Sequence, residues 1–185
     1  MTLEDVFAKL SSHLIEGLMF HDQLSNYFGF LSLCGYEECH KYHYLSESLS
    51  YKRVNEYYLK HYNKLIREDK PNNPATIPQS WYKFTRQDVD TNTKKNAVQA
   101  GFTKWVTWER DTKSIYEALY KELVNLGNID ASLFVADLIR DVSEELVEAE
   151  QYLTDLETDG YNISDIIIWQ SELVHKYTKK IAKLL

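Results

Sequence analysis

The stretch Glu-Leu-Val-Asn-Leu-Gly-Asn-Ile-Asp at residues 122–130 decides the fold, because it contains the only plausible turn between two long helix-like segments. Glu109 lies 18 residues before Gly127, and Glu145 lies 18 residues after it. If the chain folds back at Gly127, both carboxylates lie at one height of an antiparallel helix pair, about 27 Å from the turn at 1.5 Å per residue. Both also lie within an apolar helical stripe, where a carboxylate is costly unless it is paired, protonated or bound to a metal. The pair therefore predicts a shared ligand.

A purely structural interpretation of the same pair stays open. The sequence holds 28 Asp and Glu among 185 residues, so an acid at a matched position arises easily by chance. A glutamate at the edge of an apolar stripe also reaches water without binding any ligand.

Length and composition predict a single helical domain over residues 1–185. Hydrophobic residues make up 44% and charged residues 26%, as in ordinary folded soluble proteins. Six Gly and three Pro are few, which favours long helices over a turn-rich β fold. All three prolines fall between positions 71 and 78, so they mark one extended segment.

The net charge of −7 argues against a general nucleic-acid or anionic-membrane surface, which needs clustered Lys and Arg. No signal peptide and no apolar run of about 18 residues is visible. Cys34 and Cys39 form no Cys-x-x-Cys motif, and two packed thiols are a better interpretation than a disulfide. We therefore expect a cytoplasmic protein.

Helical periodicity predicts two long hairpins joined by a crossover. The predicted elements are a first helix over about 2–33, a second over 36–67, a crossover over 68–90, a third helix over 91–126, a fourth over 130–158 and a fifth over 164–184. The crossover of about 20 residues can carry the chain along the bundle, so that the second and third helices run parallel. This arrangement is an up-down-down-up four-helix bundle with a short fifth helix.

Two stretches of this chain resemble the third and fourth helices of ferritins. Residues 108–123 (Trp-Glu-Arg-Asp-Thr-Lys-Ser-Ile-Tyr-Glu-Ala-Leu-Tyr-Lys-Glu-Leu) are similar to the third helix, in which a glutamate opens such a segment as a metal ligand. Residues 130–145 (Asp-Ala-Ser-Leu-Phe-Val-Ala-Asp-Leu-Ile-Arg-Asp-Val-Ser-Glu-Glu) resemble the fourth, where an apolar run leads into a ligand group. The likeness is strongest over residues 105–157 and implies an all-α, ferritin-like four-helix bundle.

The resemblance also implies a centre of two metal ions bridged by carboxylates. Glu16, in Leu-Ile-Glu-Gly-Leu-Met-Phe, resembles the ligand glutamate of the first ferritin helix. It lies 19 residues before Gly35, so its counterpart falls near residues 52–54, between Glu47 and Glu56. The implied ligand set is Glu16, His43, Glu47, Glu56, Glu109, Asp141 and Glu145. The implied metal is iron or manganese, and bound iron would add oxidase-like chemistry with dioxygen or peroxide.

The chain departs from the ferritin pattern at the nitrogen-bearing positions. The family's second helix supplies Glu-x-x-His, whereas Glu37-x-x-His40 lies too close to the Gly35 turn and Val142 occupies the usual Gln position. His43 lies four residues before Glu47 and shares its helix face. His40 and His43 either clamp a metal or form a polar helix start, and His21 is expected to be a neutral core histidine.

These departures keep a second class of function open. An acidic helical protein that retained the bundle without a metal could cover the basic surface of a partner protein, as accessory or inhibitory factors do.

An aromatic surface on the first hairpin predicts self-association. It comprises Phe20, Tyr27 and Phe30 on the first helix and Tyr44, Tyr51 and Tyr58 on the second. Monomeric soluble proteins rarely expose patches of that size, so we expect at least a homodimer through these two helices. The alternatives are that the crossover aromatics Trp81, Tyr82 and Phe84 cover the patch, or that the patch binds a different partner.

Overall fold

The computed structural model describes residues 1–67, 69–74 and 85–185, and its regular structure in these ranges is helical. The helices are α1 (Leu3–Phe30), α2 (Cys34–Tyr62), α3 (Thr91–Asn125), α4 (Ile129–Thr158) and α5 (Ile163–Leu184), with a short 3₁₀ turn at Arg86–Asp88. The second helix ends five residues before its predicted end, because Asn63 adopts a left-handed conformation with φ 52°. The crossover aromatics Trp81, Tyr82 and Phe84 lie outside the described residues.

Polar caps fix where the helices begin. The Thr2 hydroxyl accepts a hydrogen bond from the Asp5 backbone N–H, and the Asp5 carboxylate accepts one from the Thr2 N–H. Such reciprocal caps satisfy backbone donors that have no partner within the helix. Asn128 caps α4 in the same region where Gly127 takes a left-handed φ of 71°. The sequence at 122–130 therefore ends one helix and starts the next within four residues.

The four long helices have the up-down-down-up order. Gly101, near the start of α3, packs against the ring of Phe28 near the end of α1. Glu122, near the end of α3, pairs with the N-terminal amine of Met1 at 3.6 Å. Helix α3 therefore runs antiparallel to α1 and parallel to α2, and the end of α2 and the start of α3 lie at opposite ends of the bundle. The predicted all-α class and ferritin-like topology are confirmed.

Helix α5 packs along the groove between α2 and α4. The Tyr36 hydroxyl of α2 donates a hydrogen bond to the carbonyl oxygen of Ile166 at 3.3 Å. On the other side, Lys180 contacts both carboxylate oxygens of Glu148 of α4 at 3.1 Å. The apolar face of α5, which includes Tyr177, is therefore buried in the core beside α2.

The aromatic surface expected on the first hairpin is largely part of the core. Phe20 stacks on Trp108 of α3 with ring centroids 4.8 Å apart. Tyr27 and Tyr58 are also buried, and Tyr58 packs against Phe7. Because α1 contacts α2 on one side and α3 on another, both of its apolar stripes find partners within one chain. The expectation of a broad exposed patch is therefore wrong.

No described helix has the length and apolar character needed to cross a membrane.

Candidate metal centre

Six imidazole and carboxyl side chains from four helices meet in the middle of the bundle. We call this set the core cluster: His21 of α1, His40, His43 and Glu47 of α2, Glu109 of α3 and Glu145 of α4. Its three histidines and Glu109 are at most 1% exposed. Glu47 is 8% exposed and the Glu145 side chain 22%, so the cluster reaches solvent on the side of α2 and α4.

Helical spacing explains why one helix supplies half of the core cluster. His40, His43 and Glu47 are separated by three and four residues, which places them on one face of α2. On α1, His21 follows Gly17 by four residues, so both positions face α2. The missing side chain at Gly17 makes room for Glu47, because a Cβ there would lie 2.8 Å from the Glu47 carboxylate oxygen Oε1.

Glu109 and Glu145, which the sequence places at one height on α3 and α4, both belong to this cluster. Oε1 of Glu109 accepts a hydrogen bond from the indole N–H of Trp105 at 2.8 Å and lies 3.5 Å from Nε2 of His21. Oε1 of Glu145 lies 3.6 Å from Nδ1 of His43. The two carboxylates therefore face different histidines within one cluster.

The histidines also contact one another. Nδ1 of His21 lies 3.0 Å from Nδ1 of His40, and the His21 ring stacks on His43 with centroids 5.2 Å apart. Trp105 packs against the edges of His40 and His43. These aromatic contacts exclude water from the three histidines of the cluster.

Burial favours the uncharged form at four members of the cluster, two histidines and two glutamates. It lowers the pKa of His21 and His40 well below the ordinary histidine value, and the neighbouring histidines add to this effect. Burial likewise raises the pKa of Glu47 and Glu109 well above the ordinary glutamate value, with the nearby Glu145 charge acting in the same direction. Neutral imidazoles keep the free lone pair that metal coordination requires.

Several polar atoms of the cluster are buried without a hydrogen-bond partner in the described part of the chain. They are Nε2 of His21, Nε2 of His40, both ring nitrogens of His43 and Oε2 of Glu109. Buried polar groups are rarely left in this state, because each then loses its hydration without compensation. Nitrogen and oxygen donors of this kind fit a transition metal. Within the described ranges, however, no three His, Cys, Asp or Glu side chains already converge in a way that would hold a metal ion.

Three of the predicted ligands lie outside the core cluster. Glu16 points away from the bundle axis and accepts hydrogen bonds from the backbone N–H and side-chain amide of Asn72, at 2.8 and 3.0 Å. Its neighbour Gly17 occupies the inward position, since successive helical residues are rotated by about 100°. Glu56 is exposed beside Lys52, and Asp141 pairs with Arg53 at 3.4 Å.

The predicted ligand set leaves out two members of the cluster, His21, expected to be a neutral core histidine, and His40, for which the sequence leaves a metal clamp with His43 open. These two histidines lie at matched heights on either side of the first turn, as Glu109 and Glu145 do on either side of Gly127. His21 lies 10 residues before Leu31, and His40 lies nine after it. The other member of the Glu37-x-x-His40 pair does not join the cluster, because the Glu37 carboxylate lies against Gly29.

A cavity of about 470 Å³ opens between α2 and α4, beyond the C-terminal part of α5. We call it the lateral cleft. Glu47 and Glu145 line its inner wall, whereas Arg53 and Asp141 lie farther along it. The cleft connects the exposed side of the core cluster with the surface of the protein.

Comparison with known proteins identifies the fold. Neither a protein-family model nor a curated protein matches the sequence. The structure is similar to a humanized archaeal ferritin, with a TM-score of 0.72 and 13% identity over 92% of this chain and 93% of that one. It is also similar to a closed form of the Archaeoglobus fulgidus ferritin engineered by site-directed mutagenesis, with a TM-score of 0.74 and 11% identity over 94% and 96% of the two chains.

An open pore ferritin from the hyperthermophilic archaeon Archaeoglobus fulgidus gives a TM-score of 0.67 at 13% identity, over 93% of this chain and 98% of that one. All three likenesses cover nearly the whole length of both chains, so the resemblance concerns the complete bundle. The protein thus has a ferritin-like fold, built by a sequence that is only 11–13% identical to these ferritins.

Proposed function

We propose that this protein binds iron or manganese through the core cluster. One observation carries the proposal: among the residues that the structure describes, five buried nitrogen and oxygen atoms of His21, His40, His43 and Glu109 have no hydrogen-bond partner. A bound cation would give those atoms a partner and offset the cost of their burial. The ferritin-like fold supports the same assignment, since such bundles build metal sites from inward-facing side chains of several helices.

The donor set favours a borderline transition metal. Imidazoles suit iron, zinc and copper, whereas carboxylates suit manganese and harder ions, so a mixed set of three histidines and three glutamates fits iron or manganese. Bound iron would supply reactivity toward dioxygen or peroxide. The protein contributes the imidazole nitrogens, the indole N–H that orients Glu109, and the surrounding aromatic side chains that exclude water.

Metal content after purification without an affinity tag tests this proposal. The protein is loaded anaerobically with Fe(II), dialysed, and analysed for iron, manganese and zinc by mass spectrometry. We expect at least one ion per chain in the wild type. The double variant Glu47→Gln with Glu145→Gln keeps the side-chain volumes and should lose most of this binding.

The matched control removes two carboxylates that the sequence predicted but the fold places at the surface. Glu56→Gln with Asp141→Asn should bind as much metal as the wild type, because neither side chain belongs to the core cluster. Wild-type protein that retains less than about 0.1 ion per chain after loading would overturn the proposal. Equal loss of metal in both double variants would move the site away from the core cluster.

We also propose, for the same chain, a homodimer through α1 and α2. What supports it is a smaller exposed apolar surface on α2, where Tyr44 is 37% exposed and Leu59 is 49% exposed. Light scattering at micromolar concentration should give about twice the 21.8 kDa chain mass. A mass of one chain across that range would refute the dimer.

A further inference from the structure

The core cluster meets the lateral cleft at only two of its six members. Glu47 and Glu145 line the cleft, whereas the three histidines and Glu109 do not. Glu47 is more than nine-tenths buried and projects into the cleft, and no described hydrogen-bond donor contacts its carboxylate. An unpartnered carboxylate at the inner end of a cleft is suited to meet an arriving cation.

Aromatic side chains close the other sides of the cluster within the described part of the chain. Phe28 stacks on His40 with ring centroids 5.5 Å apart, and Trp105 lies against His43 at 4.7 Å. On the α5 side, Tyr177 lies 6.0 Å from His43. A hydrated ion has no comparable passage through these contacts, because they leave rings packed against rings.

The charges of the cleft favour cations. Five carboxylates line it, against two basic side chains, Arg53 and Lys180. Both basic groups are already engaged, Arg53 with Asp141 at 3.4 Å and Lys180 with Glu148 at 3.1 Å. The remaining carboxylates, which include the exposed Glu144, have no Lys or Arg partner in the ranges that the structure describes. A concave surface of one sign raises the local concentration of counter-ions.

We propose that divalent cations reach the core cluster through the lateral cleft, with Glu47 as the first buried carboxylate that binds them. This inference rests on the proposed function, because it assigns the access route of the same site. The two ion pairs hold the basic side chains against the cleft walls. Gly17 lets the Glu47 carboxylate lie between the cleft and the histidines.

The route is tested by the rate at which Co²⁺ enters the protein. Trp105 lies against the cluster, so stopped-flow quenching of tryptophan fluorescence by Co²⁺ reports arrival, and dialysis followed by elemental analysis gives the final stoichiometry. Ser50 lines the cleft, whereas Ser48 is exposed and lies outside it. We expect Ser50→Phe to slow loading at least tenfold with unchanged final stoichiometry, and Ser48→Phe to load at the wild-type rate.

A second pair of variants examines charge without filling the cleft. Glu144→Lys reverses an exposed charge at the cleft, and Glu157→Lys makes the same change at an exposed position near the end of α4. We expect the first to slow loading severalfold at low ionic strength, with the difference shrinking in about 0.5 M salt. The second should leave the rate unchanged.

The outcomes separate the two proposals. Circular dichroism first establishes that each variant is folded, and Glu144→Lys serves as the decisive variant if Ser50→Phe is not. A folded Ser50→Phe that loads at the wild-type rate, or a Glu144→Lys without any salt-dependent slowing, overturns the route while leaving the metal site intact. A wild-type protein that takes up no metal overturns both.

Discussion

Gly35, the second residue of α2, allows α5 to approach the backbone of α2. A Cβ added at this position would lie 2.2 Å from the carbonyl oxygen of Gln170 and 2.8 Å from its carbonyl carbon and Cα. Ordinary contacts of a Cβ begin at 3.4 Å. Because the obstructing atoms are backbone, Gly35→Ala can be accommodated only if α5 moves away by about 1 Å.

The cost follows from two opposing terms. Forcing extra volume into a packed interface costs typically about 1–3 kcal/mol, and more when backbone must move. Alanine returns at most about 1 kcal/mol through its higher helix propensity. A retreat of α5 also loosens the buried Leu173 and Tyr177. Because backbone atoms must move, the cost lies at the upper end of that range, and we expect a net loss of about 2 kcal/mol in the free energy of unfolding, which corresponds to about 4–8 °C in Tm for a chain of this size.

Urea denaturation followed by circular dichroism measures this loss, and fluorescence of Trp169 on α5 reports the local change. Gly127→Ala is the matched control, because no described atom beyond the adjacent residues lies within 4 Å of its added Cβ and its cost is the left-handed backbone alone, about 1–2 kcal/mol. If Gly35→Ala stays within about 0.5 kcal/mol of the wild type, the close contact between α2 and α5 is refuted.

Two further predictions concern titratable groups around α5. Burial raises the pKa of the Cys39 thiol to about 12, whereas Cys34 is exposed, so iodoacetamide at pH 8 should modify Cys34 in the native protein and Cys39 only after unfolding. Mass spectrometry of the alkylated protein checks this, and rapid labelling of Cys39 would contradict the packing. For Glu148, burial alone would raise the pKa, but the hydrogen bond from Lys176 and the charge of Lys180 outweigh it and lower the pKa. The stabilisation by this carboxylate is present above its unfolded pKa of 4.5 and is lost as pH falls through the folded value. Glu148→Gln should therefore be less stable than the wild type at pH 7, with the difference closing below pH 4.5 in chemical denaturation, and a difference that does not change with pH would refute the pairing.

The fold could be predicted because its determinants are local. Gly127 and its flanking periodic segments specify the second hairpin, and the proline segment between 71 and 78 marks the crossover. The position of α5 could not be predicted in this way, because it depends on a close contact between Gly35 and Gln170. Residues 135 positions apart leave no periodic signal in one sequence.

The site could be predicted in part for a related reason. Glu109, Glu145, His43 and Glu47 follow from matched height and helical spacing, which are properties of ideal helices. Glu16 shows where this reasoning fails. A shift of one position along a helix rotates the side chain by about 100°, which moves it from the bundle axis to the surface. Only the packed structure decides that Gly17, rather than Glu16, faces the axis.

The position of α5 has a consequence for the order in which the chain assembles during synthesis. Each hairpin joins helices that are neighbours along the chain, whereas the hydrogen bond from Tyr36 to Ile166 spans 130 residues. Contacts of such long separation form late, because a long loop must close before they stabilise anything. The ribosome makes the segment of α5 last among these five helices, so the two hairpins can bring the histidines and carboxylates together before α5 exists. During that interval the flank between α2 and α4 is open along its whole length, and the docking of α5 later confines access to the part beyond Lys180.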